Sequence, residues 1–171
     1  MAPLVRRSWS RRGCTPVLMQ RGRSRRKVSV IGALVISPKR RRVRGYFRLH
    51  PEANLDGPLV LSFVKELLRT LRVPLELIWD RLNAHRGEPV KSFVEREQHR
   101  LRVHLLPPYA PELNPVELIW GHLKTNPMAN FAPAELSDLV DQTDLATCVI
   151  ARDQPLLRSF LAHCPLSLRL K

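Results

Sequence analysis

Asp80 and Glu117 are the two side chains whose settings best suit chemistry. Asp80 directly follows the apolar run Leu75-Glu76-Leu77-Ile78-Trp79, so a strand would end on it, and ligands of open α/β sheets gather at the carboxyl edge of the strands. Glu117 closes Asn114-Pro115-Val116-Glu117, just inside the start of a helix. Carboxylates from separate elements that converge at a sheet edge are the donors that hard ions such as Mg²⁺ or Mn²⁺ take. Two such ions about 4 Å apart suit in-line attack on a phosphodiester, one activating the attacking oxygen and the other stabilising the leaving oxygen. Each residue also has an ordinary structural explanation. An Asp after a strand forms turns, and Asn at N-cap, Pro at N1 and Glu at N3 make a capping-box-like helix start. Asn83, His85 and Asn114 are the further near-site candidates, His85 as a phosphate contact or proton carrier. His50, His99, His104, His122 and His163 have no metal-ligand spacing.

The elements that must position these residues are legible from pattern. Residues 28–36 are rich in β-branched side chains and stop at Ser37-Pro38, which predicts a buried strand. Residues 39–42 make a turn and 43–49 alternate as a second strand, giving an antiparallel hairpin. Asp56-Gly57-Pro58 opens a helix with Leu59, Phe63, Leu67 and Leu71 on one face, ending near Pro74, with Asp56 as its cap. Residues 75–79 predict a third strand, 88–98 a polar helix and 101–106 a fourth strand. Strand and helix then alternate, so the class is α/β with a mixed sheet. Residues 133–150 and 155–162 predict two further helices, which pack back on the sheet or form a dimer contact. Trp9 and Trp79 are expected to pack rather than to stack on bases.

Charge distribution bounds the partners. The 171 residues carry 29 Lys and Arg against 15 Asp and Glu, a net +14, and residues 1–48 hold fifteen of the bases and none of the acids. A block of that sign is the footprint of a polyanion such as DNA. Arg21, Arg23, Arg25, Arg26, Lys27, Lys39, Arg40, Arg41, Arg42, Arg44 and Lys124 are the candidate phosphate contacts. The alternative is a set of solvated turns on a basic protein. Cys14, Cys148 and Cys164 form no C-x-x-C pair, which suggests neither a disulfide framework nor a zinc site and fits a cytoplasmic setting, nucleoid-associated when DNA is bound. The apolar stretch 30–36 is far shorter than the roughly 20 residues of a membrane span.

The segment Pro108-Tyr109-Ala110-Pro111-Glu112-Leu113-Asn114-Pro115-Val116-Glu117, with Trp120 and Lys124, resembles the DDE transposases of bacterial insertion sequences in the mariner-like superfamily, also called DDE superfamily endonucleases. Asp80 with His85 resembles that family's second-acid motif, and Trp9, Gly13 and Pro16 resemble an element that follows its first acid. The resemblance covers about residues 9–124. It implies a ribonuclease-H-like mixed sheet flanked by helices, with Asp80 and Glu117 as the second and third metal-binding acids, Mg²⁺ or Mn²⁺ as cofactor and DNA as substrate. Two departures stand out. Arg81 occupies the place where the family usually has Asn, and no Asp or Glu precedes Glu52, so the first acid and the first strand are expected to be missing. The expected organisation is a basic irregular arm (1–27), a partial catalytic core (28–126) and a C-terminal helical tail (127–171). The expected function is transposase-type cleavage and strand transfer, left inactive if nothing replaces the first acid. The alternative is a non-catalytic nucleic-acid-binding remnant that pairs with itself or with full-length transposase.

Overall fold

The computed structural model of the chain describes residues 5–7, 9–15, 17, 26–166 and 170. In chain order the elements are β1 (Val28–Ile36), β2 (Val43–Pro51), α1 (Gly57–Leu71), β3 (Leu75–Trp79), α2 (Glu88–Arg96), β4 (Leu101–Leu105), α3 (Pro115–Thr125), α4 (Leu136–Arg152) and α5 (Gln154–His163), with single 3₁₀ turns at Asn83–His85 and Pro111–Leu113. The α/β class and the strand–helix alternation are as the pattern predicts.

β1 and β2 pair antiparallel from Val28 opposite Pro51 to Ile36 opposite Val43. Ser37 builds the turn between them: its hydroxyl accepts from the N–H groups of Arg41 and Arg42 at 3.2 and 3.1 Å. Asp56 caps α1 by accepting from Leu59 N at 3.0 Å, and Arg72 ends the helix in the left-handed region at φ 54. β3 and β4 then pair in parallel, Leu75 with Leu101 through Trp79 with Leu105, because α2 carries the chain back across one face.

The strands form two separate two-stranded ladders, where one mixed sheet was expected. The physical reason is that no strand among the described residues bridges β1 and β3; only side chains join the two halves. Each ladder has its own core. Val43, Ile119, Leu123, Ala146, Ile150, Leu157, Phe160 and Leu161 bury α3, α4 and α5 against the hairpin. Val60, Val64, Leu68, Trp79, Val90, Phe93 and Leu101 bury α1 and α2 against the parallel pair, with Ile31 of β1 packed onto that cluster. Among the described residues no helix is long and apolar enough to cross a membrane.

Candidate functional site

β3 and β4 run side by side, so both chains leave at the same carboxyl edge, one into Asp80 and the other through residues 106–114 into Glu117. Two contacts hold the exits together: Leu106 N donates to Trp79 O at 2.9 Å, and the Arg81 Nε–H donates to Leu106 O at 2.9 Å. Arg81 is therefore a tether between the two exit loops.

Asp80 is fixed by its own loop. Its Oδ1 accepts from Leu82 N at 3.0 Å and stands 3.0 Å from His85 Nδ1, which also lies 3.2 Å from the Asp80 carbonyl. Both neighbours of Nδ1 are acceptors, so Nδ1 carries the proton. The His85 ring stacks on the buried Trp79 with centroids 4.5 Å apart and planes 5° apart. Trp79 is thus a packing residue as expected, and its buried Nε1 has no hydrogen-bond partner among the described residues. His85, singled out for its proton, is held by stacking that residue spacing does not reveal. Asn83 opens the 3₁₀ turn that carries His85 back to Asp80.

Asn114 caps α3, accepting from Val116 N at 3.1 Å, with Pro115 as the first helical residue. The reciprocal half of a capping box is not made there, so the exposed Glu117 carboxylate is not consumed by the helix start. Tyr109, in the loop before it, is fully exposed and sits at φ 56.

Asp80 and Glu117 are hard-oxygen donors of the kind divalent ions take. Among the described residues, no three His, Cys, Asp or Glu side chains stand together in a way that could hold a metal ion. The described chain therefore holds two candidate carboxylates, Asp80 directly after β3 and Glu117 in the first turn of α3, and among the described residues no cluster of three that could hold a metal ion.

The candidate phosphate contacts are not brought together. Arg26 pairs with Glu52 at 3.3 Å and Lys27 with Asn54 at the open end of the hairpin, while Lys39, Arg40, Arg41 and Arg42 form the turn at its other end, with Arg44 exposed on β2 beside it. Nine residues of strand separate the two ends, roughly 30 Å at about 3.4 Å per residue. Lys124 is exposed on the last turn of α3. Arg21, Arg23, Arg25 and Pro16 lie outside the described residues. Trp9, expected to pack, is fully exposed; nothing among the described residues covers residues 9–15.

A family model described as DDE superfamily endonuclease matches residues 2–139. No curated protein matches the chain. Among solved structures, the crystal structure of the Mos1 mariner paired end complex with Mn aligns with a TM-score of 0.65 at 14% identity, covering 96% of this chain and 49% of that one. That likeness bears out the ribonuclease-H-like fold, and the chain spans about half the length of the solved chain it matches.

Proposed function

Because the chain belongs to the DDE superfamily endonucleases, we propose that it contributes to transposase-type cleavage and joining of DNA strands, with Asp80 and Glu117 as its metal-binding acids. The observation that supports this reading is that Asp80 directly follows β3 at the carboxyl edge of the parallel pair, while the chain leaving β4 at that edge leads to Glu117, left free by its helix cap. A bound Mg²⁺ or Mn²⁺ would supply charge neutralisation at the phosphate and activation of the attacking oxygen. The chain's own residues do the rest: His85 and Leu82 N hold the Asp80 carboxylate through Oδ1, Arg81 ties the two exit loops, and the Lys39–Arg42 turn offers positive charge to the DNA backbone. A third oxygen donor must join them from outside the described cluster. The partition into a basic arm, a core to about residue 126 and a helical tail is part of the same reading, as is action at DNA in the cytoplasm.

The pair of acids without a third donor favours a second reading, a DNA-binding member of the family without activity of its own. Nicking of supercoiled DNA in Mg²⁺ or Mn²⁺, by the chain and by Asp80→Ala and Glu117→Ala, separates the two. Nicking that falls at least about 100-fold in both variants supports the catalytic reading, since each removes a metal ligand. Salt-sensitive DNA binding with no nicking in any sample supports the second. Nicking that survives both substitutions refutes the assignment of these acids.

A further inference from the structure

The outer face of α4 carries a seam that no other described element covers. Its inner face, Thr143, Ala146, Thr147 and Ile150, is buried toward β2 and α5. On the other side Leu145 and Val149 are each 61% exposed, and Asp141, Cys148 and Arg152 are exposed with them. Positions 141, 145, 148 and 152 follow one another at intervals of four, three and four, the alternation that keeps one stripe of a helix against a partner helix. With about 3.6 residues per turn, all of them and Val149 fall within roughly 60° of Leu145 around the axis. The stripe ends in opposite charges, Asp141 toward the helix start and Arg152 at its last turn. Neither belongs to any ion pair given by the described residues.

We propose that this seam pairs with the same seam of a second copy of the chain, the two α4 helices running antiparallel. The sequence is self-complementary in that orientation. About the midpoint between Ala146 and Thr147, Leu145 maps onto Cys148 and Asp141 onto Arg152, so a two-fold axis there sets Asp141 against the partner's Arg152 twice. The same operation sets Leu145 against the partner's Cys148 twice, with Val149 flanking that apolar centre and facing the position of Asp144. A parallel pairing would instead face Asp141 with its own copy, and likewise Arg152, which repels. The wider charge pattern selects this face too. Residues 134–153 hold five acids and one base in a chain of net charge +14, so copies that meet here keep their basic blocks apart and leave the Lys39–Arg42 turn free for a polyanion. With only three apolar side chains the contact is a small one, below the area of a permanent dimer. It matters most where two copies are already concentrated on one DNA molecule.

Cross-linking tests it in the full chain. Cys14→Ser leaves Cys148 as the one exposed thiol among the described residues, since Cys164 is 6% exposed. In the antiparallel pair the two Cys148 residues are offset by three positions, roughly 4.5 Å along axes about 8–10 Å apart, within reach of a short bis-maleimide. The expected result is a Cys148–Cys148 dimer, a roughly fivefold lower yield for Asp141→Arg or Arg152→Asp alone, and recovery in the doubly reversed variant. Both charged positions are exposed, and circular dichroism confirms that the variants remain folded. Absence of the cross-link, a yield indifferent to the single reversals, or a double reversal that does not recover would each overturn the proposal.

Discussion

At the scale of single residues, Asp80 is prepared by its neighbours. One carboxylate oxygen, Oδ1, is taken twice, by Leu82 N and His85, which leaves Oδ2 as the oxygen free for a ligand. His85 in turn stands in place because its ring lies flat on Trp79. The His85 side chain is 17% exposed and Asp80 45%, so the histidine forms the wall of the site and the carboxylate its open side. Removing the ring should therefore weaken the fold as well as free the acid. His85→Ala is expected to lower stability by about 1 kcal/mol, the size of a stacked pair beyond its area, read as an earlier urea midpoint. A wild-type midpoint in that variant would show that the stack contributes nothing. Spacing made Asp80 and His85 visible as neighbours, yet not their order of dependence, because the platform, Trp79, reads in sequence as one more apolar strand residue.

At the scale of elements, the hairpin and α4 approach each other closely at Gly45. A Cβ built at Gly45 of β2 would stand 2.7 Å from the Phe47 ring and 3.0 Å from the Ala151 backbone. Side chains can swing aside, but a helix backbone cannot without moving the helix. Gly45→Ala is expected to cost about 1–3 kcal/mol, and a thermal midpoint within error of the parent would contradict this contact. Element identities were largely legible. Residues 28–36 form one strand because a β-branched run meets Ser37-Pro38, and α1 starts where Asp56-Gly57-Pro58 says it should. The start of α4 lies at Leu136 and not near Pro133, because Glu135 and Asp138 form a capping box there. That signal was in the sequence, in a Glu and an Asp three residues apart, outside the usual Ser or Thr form. What pattern could not give is register and distance. Arg26 and Lys39 look like one basic block along the chain, and the hairpin sets them at opposite ends.

At the scale of the whole molecule, acid titration offers a test of the parallel pair. A hydrogen bond from His104, reinforced by Arg102, holds Glu76 below the usual value of 4.5, and a hydrogen bond from Arg100 does the same for Glu97. Depressed carboxylates stabilise the fold above their unfolded value, and that contribution is lost as pH falls through the folded one. Glu76→Gln with Glu97→Gln is therefore expected to flatten the loss of thermal midpoint below about pH 4.5; an unchanged acid profile would show that these pairs are too solvated to matter. A last consequence follows from the two ladders. Hydrogen-bonded strands resist sliding, whereas layers joined by side-chain packing can shift by small shear displacements. Asp80 rides on the parallel pair, and Glu117 rides on α3, whose Ile119 and Leu123 belong to the hairpin core. The two acids thus ride on different layers, and any sliding of the hairpin layer against the parallel pair would change their separation.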